Sequence, residues 1–143
     1  MNDSNKPSSA FWVVGVLALI WNVLGVLAYL GQAFMTEDMK SALPEDQIAI
    51  LEATPAWATA AFAIAVWGGL LASILFLMKK KLSNTLFTLS FLGIIVQLIY
   101  NFFIANSWEV YGPGGLIMPI LTVGFGAFLI WYSKKCIADG ILK

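Results

Sequence analysis

The sequence predicts an all-α integral membrane protein, a four-helix bundle with both ends on the cytoplasmic side (N-in/C-in). Residues 7–36, 53–78, 82–108 and 110–133 contain no Asp, Glu, Lys or Arg, and each stretch exceeds the roughly 20 mostly apolar residues that a helix needs to cross a bilayer. Of the whole chain, 60% is apolar and the mean hydropathy is +0.85, well above the roughly 45–50% apolar share of a soluble globule. Lysine is also segregated. Along a four-span path, Lys6, Lys79, Lys80, Lys81, Lys134, Lys135 and Lys143 fall on one side. Only Lys40 falls on the other, among Glu37, Asp38, Glu45, Asp46, Glu52 and Glu109. This bias is the positive-inside pattern and sets the orientation.

The opening residues 1–10 are polar and are expected to form a disordered cytoplasmic tail, ahead of one membrane domain over 11–143. The first span covers about 11–34. Lys6 before an apolar run, with small residues Gly31 and Ala33 at its end, raises a secretory signal peptide as an alternative. The run is longer than the roughly 7–15-residue apolar core of such signals, so a retained helix is expected. An acidic loop over 35–55 faces the periplasmic side. Within it, Pro44 followed by Glu45 and Asp46 reads as a helix start, with acids at the positive end of the dipole. Ile48 and Leu51 then share one side, which fits a short amphipathic helix on the membrane surface or a solvated acidic loop.

The second span covers about 56–78, with Pro55 at its first turn and Lys79-Lys80-Lys81 at its end. The third covers about 83–105, and Gly112-Pro113-Gly114-Gly115 then dictates a tight turn. The fourth covers about 116–133 and stops at Lys134-Lys135. Trp12, Trp57, Trp108, Tyr111, Trp131 and Tyr132 sit near span ends, where amphipathic rings settle at headgroup level.

Composition also limits the chemistry. There is no histidine and a single cysteine, Cys136, which removes the commonest general base and metal ligand and any intramolecular disulfide. Zero net charge leaves no basic face, so no nucleic-acid partner is expected. No Asp, Glu or His lies inside a span, so a proton-coupled pump lacks its usual relay. No cofactor is expected, because haem and metal sites lack their usual ligands. An enzyme is not expected either, since hydrolytic groups would have to come from the outer loops.

Two sets of residues stand out within the spans. Ala61, Ala65, Gly69 and Ser73 recur every fourth residue, widened by Gly68 and Ala72, and form a small-residue stripe for close helix packing. Its partner is either another helix of this chain or a second subunit. The other set is polar. Asn22 lies near the middle of the first span, and Tyr29 and Gln32 lie toward its outer end. Ser90, Gly93, Gln97 and Asn101 share one face of the third span, bordered by Tyr100. Gln97, Asn101, Tyr29 and Gln32 fall within about 15 Å of the outer surface at a helical rise of about 1.5 Å per residue. Asn22, Tyr29, Gln32, Gln97, Tyr100 and Asn101 are therefore candidates to line a pocket for a neutral, polar small molecule. Amides that only join helices are the alternative, since such bonds average about 0.6 kcal/mol in membranes and need no further purpose. In the fourth span, Pro119 is either an ordinary helix start or a kink.

Several segments together carry a resemblance: Trp21-Asn22, Gly25, Ala28-Tyr29-Leu30-Gly31-Gln32, Pro55-Ala56-Trp57, Tyr100-Asn101-Phe102-Phe103, Tyr111-Gly112-Pro113-Gly114, Met118-Pro119 and Trp131-Tyr132-Ser133-Lys134-Lys135. Over nearly its whole length the chain resembles short bacterial four-helix membrane proteins labelled as sugar transporters. The resemblance implies a multi-pass protein of the bacterial inner membrane and a carrier role. The leading expectation is a facilitative carrier of a neutral polar solute such as a sugar. It would act as a homo-oligomer, because four helices enclose little space. The alternative is a non-transporting accessory or assembly subunit that docks on a membrane partner through the stripe of the second span.

Overall fold

A computed structural model describes residues 8–104 and 117–143. The elements are α1 (Ser9–Ala33), α2 (Glu37–Ser41), α3 (Glu45–Ala53), α4 (Ala56–Leu77), α5 (Leu82–Ile99) continued by a π-helical turn (Tyr100–Ile104), and α6 (Ile117–Ala138). No strand occurs among the described residues. Four helical segments, Ser9–Ala33, Ala56–Leu77, Leu82–Ile104 and Ile117–Ala138, are long and apolar enough to cross a membrane. The protein is an all-α membrane bundle. The expectations for the N-terminal tail over residues 1–7, for Trp108, Glu109 and Tyr111, and for the Gly112–Gly115 turn lie outside the described residues.

Local chemistry sets the helix starts. The Ser8 hydroxyl accepts from the Phe11 N–H at 3.3 Å and caps α1. The Thr36 hydroxyl accepts from the Met39 N–H at 3.2 Å and caps α2, with Glu37 and Asp38 in its first turn. Pro44 precedes α3, with Glu45 and Asp46 at its positive end. The acidic loop is therefore two short helices. Neither buries a residue, and Lys40 Nζ to Glu52 Oε1 at 2.7 Å ties them together.

α4 is the central helix. It packs against α1 and α5, and α6 packs on α5. The small-residue stripe explains this. Ala61, Ala65, Gly69 and Ser73 are all buried, and their partners lie in the same chain. On the α5 side, a Cβ added to Gly93 would stand 2.8 Å from the Ala61 carbonyl oxygen, and Ser90 Oγ donates to the Ala65 carbonyl at 2.5 Å. On the α1 side, the Asn22 carboxamide fills the space over Gly69. Small residues let three backbones converge here, and the stripe is used up inside the fold.

At the lysine-rich end an aromatic cluster closes the bundle. Phe11 stacks on Phe76 with centroids 4.5 Å apart, and Phe87 and Tyr132 each lie 6.1 Å from the Phe76 ring. α6 continues past Lys134 and Lys135 to Ala138. Charge ends an apolar span but not a helix, and lysines near a C-terminus suit its negative dipole end. Gly140, at φ 78°, then reverses the chain. Leu142 is buried, and the Lys143 N–H donates to the Lys79 carbonyl at 2.9 Å. Asn84 Nδ2 fastens α6 to α5, donating to the Ile130 carbonyl at 3.1 Å and Ser133 Oγ at 2.9 Å.

Candidate functional site

Because α4 and α5 form the middle of the packing order, α1 and α6 are left as its two flanks, and both feed the core at the lysine-rich end. They also meet where Trp21 presents its edge to Phe125, with centroids 5.7 Å apart. From that contact toward the acidic end runs a chamber of about 420 Å³, within the roughly 300–1,000 Å³ of ligand pockets. Its walls come from all four spanning helices: Trp21, Asn22, Leu24, Gly25 and Ala28 on α1, Phe62, Ala65 and Val66 on α4, Ile94, Gln97, Leu98 and Asn101 on α5 and its π turn, and Met118, Pro119 and Thr122 on α6. Most of this wall is apolar, and none of these side chains is ionisable.

Asn22 is 9% exposed and forms the floor near mid-span. Its Nδ2 donates to the Ala18 carbonyl at 2.8 Å and to Ser73 Oγ at 3.2 Å. Ser73 Oγ donates onward to the Gly69 carbonyl at 2.8 Å. Both amide hydrogens of Asn22 are thus engaged by protein, which ties α1 to α4 and closes the chamber below.

Gln97 and Asn101 occupy the upper wall. Among the described residues neither side chain makes a hydrogen bond. They stand one turn apart on the face that also bears Ser90 and Gly93, but that face divides by neighbour. Ser90 and Gly93 are buried against α4, whereas Gln97 and Asn101 look into the chamber. Where α5 widens into its π turn, the Tyr100 N–H reaches both the Gln97 and Val96 carbonyls. π turns of this kind often mark functional positions. Tyr100 itself is 4% exposed and lines a different hollow of about 460 Å³ with Ile50, Pro55 and Trp57. Its hydroxyl donates to the Ala53 carbonyl at 3.4 Å, and its ring meets Trp57 edge-on at 5.3 Å.

Tyr29 and Gln32 lie elsewhere again, beside Glu37, Lys40, Glu52 and Thr59 in a hollow of about 280 Å³. This hollow belongs to the charged surface under α2 and α3. The hydrogen bond to Glu52 holds the half-buried Lys40 ammonium above its ordinary pKa. The Tyr29 ring packs edge-on against Phe62, a residue of the chamber wall, at 5.6 Å. The structure therefore brings Gln97, Asn101 and Asn22 into one chamber, and it places Tyr29 with Gln32 in a second hollow and Tyr100 in a third.

Gly25 and Thr122 also line the chamber, although the sequence did not point to them as lining. Thr122 Oγ1 donates to the Met118 carbonyl at 2.8 Å, which leaves the oxygen free to accept. The available signal was its spacing of three from Pro119, which puts both on one face of α6. Among the described residues, no group of His, Cys, Asp or Glu is placed to hold a metal ion. Compared with protein-family models, curated proteins and solved structures, the chain matches none.

Proposed function

We propose that this multi-pass membrane protein binds a neutral solute in the chamber between its four spans and carries it down its gradient. The observation that supports this reading is the pair Gln97 and Asn101, two amides without a hydrogen-bond partner among the described residues, set into a mostly apolar wall that carries no charge among those residues. Each amide offers donors and an acceptor, so the pair reads hydroxyl, carbonyl or amide groups. A charged solute would lose its hydration in this chamber and gain no counter-charge from the described residues. The excess of apolar wall favours a solute with one polar end and an apolar body over one that is hydroxylated all round.

Carriage needs a second arrangement in which the floor opens, and the Trp21–Phe125 contact with the Asn22–Ser73 bond is the closure that has to part. The chamber lies within one chain, so binding needs no second copy. The accessory-subunit alternative loses the docking stripe on which it rested, because those residues are buried between α1, α4 and α5.

Reconstituted protein tests the proposal. Proteoliposomes should accelerate equilibration of at least one of glucose, glycerol or a short N-alkyl acetamide. Gln97→Leu combined with Asn101→Leu should cut that flux by at least about tenfold, the effect expected from losing two hydrogen bonds to the solute. Thr88→Ala, on an exposed position outside the chamber, should leave it unchanged. Flux that ignores the Gln97/Asn101 pair, or no flux across the panel, overturns the reading.

A further inference from the structure

Resting on the reading of the chamber as the solute site, its open side identifies the route of access and with it the class of solute. Among the described residues, the rims that α1 and α6 lend the chamber are apolar and exposed. Leu24 is 58% and Met118 62% exposed, both within membrane-spanning segments and both lining the chamber. At that depth the surrounding medium is acyl chain and not water. The amides of the chamber also differ along the membrane normal. At mid-span, beside Val66, Ile94 and Trp21, the amide hydrogens of Asn22 are already engaged by protein, while Asn101, without a hydrogen-bond partner among the described residues, lies toward the acidic end. An amphiphile in the leaflet has the same order, with its apolar tail at mid-span and its polar group near the surface. A solute arriving from water would meet the polar group first and would gain nothing from a gap facing lipid.

We propose that the solute enters sideways from the leaflet at the acidic end, through the gap between α1 and α6, and is a neutral single-chain amphiphile whose hydroxyl, ester or amide head is held by Gln97 and Asn101. About 420 Å³ lies in the lower part of the usual range of ligand pockets, which suits one chain better than two. Among the described residues no lining side chain is ionisable, which selects against fatty acids and phospholipid head groups.

The test uses the full chain in nanodiscs with two neutral photoreactive probes, a diazirine monoacylglycerol and a water-soluble diazirine glucoside, and with a diazirine fatty acid as the charged control. The expected result is saturable labelling by the monoacylglycerol at α1 residues 21–28 and α6 residues 118–122. That labelling should fall at least about tenfold in Gln97→Leu/Asn101→Leu, as expected for two lost hydrogen bonds. Ala28→Trp, which adds bulk at the exposed rim of the chamber, should block it. If the glucoside labels these segments and the monoacylglycerol does not, lateral access is wrong while the chamber remains a solute site. Monoacylglycerol labelling that never saturates and ignores the variants, or fatty acid labelling of equal strength, overturns the amphiphile assignment. No specific labelling by any probe overturns both proposals.

Discussion

Replacing Gly93 with alanine should separate α5 from α4. A Cβ built there stands 2.8 Å from the Ala61 carbonyl oxygen and 3.0 Å from the Ala65 nitrogen, with Ile64 Cγ2 at 3.3 Å. Two of these are backbone atoms of the central helix and cannot rotate away. Restoring ordinary contact requires α5 to move out by about half an ångström, and overpacking of this kind costs about 1–3 kcal/mol. The same movement stretches the Ser90 to Ala65 hydrogen bond one turn away, adding about 0.6 kcal/mol on the scale measured in membranes. Alanine also gains up to about 1 kcal/mol of helix propensity over glycine, which would mask part of the loss. Gly124→Ala corrects for that gain, because a Cβ there meets nothing within 4 Å. The assay is reversible unfolding in mixed micelles with increasing SDS, followed by circular dichroism. Gly93→Ala should be about 2–3 kcal/mol less stable than Gly124→Ala. Equal stabilities would refute the claim that the stripe packs within the chain.

Three further outcomes follow from particular contacts. Gly69→Ala should destabilise the protein, because its Cβ collides with the Asn22 amide; with Asn22→Ala it should cost at least about 1 kcal/mol less than alone, measured as the coupling energy of a double-mutant cycle. Ser83 Oγ is the buried side-chain oxygen without a partner among the described residues, so Ser83→Ala should hold or raise stability, by up to about 1 kcal/mol, in the same unfolding assay. The Lys40–Glu52 pair joins α2 to α3, and the hydrogen bond to Glu52 raises the lysine pKa. The stabilisation it brings is complete below the unfolded lysine pKa and is lost as the pH rises through the higher folded value. Backbone amide exchange in α2 should therefore stay unchanged through neutral pH after local correction and quicken above the lysine pKa, and Glu52→Gln should abolish that step.

The spans were legible because lipid imposes one requirement on every residue of a helix, and a run without charge meets or fails it locally. Relations between helices were harder to read. The stripe of Ala61, Ala65, Gly69 and Ser73 announced close packing, but only the fold shows α5 on one flank and the Asn22 amide on the other. The polar residues illustrate the same difficulty. A helical repeat gives the direction of a side chain around its own axis and not what stands opposite. Ser90 and Gln97 share a face of α5, yet α4 covers the first and an open flank the second. Tyr100 and Asn101 are sequence neighbours that line different hollows. Tyr29 and Gln32 reach the outer end of α1, where α2 and α3 screen them from the chamber with a charged surface that the acidic loop did not reveal. α6 outran its apolar span because lysines at the end of a helix are favourable there.

Reactivity of single thiols inside the bundle tests the central claim, an open chamber bounded by Gln97 and Asn101, most directly. Cys136 is 2% exposed and gives a silent background. In nanodiscs, Gln97→Cys and Asn101→Cys should react with the neutral, membrane-permeant N-ethylmaleimide, and Ala28→Trp should slow both by at least about tenfold. Ser90→Cys, at a position buried against α4, should stay unreactive throughout. If Gln97→Cys and Asn101→Cys prove as inert as Ser90→Cys, the face is packed and dry, and the chamber does not exist.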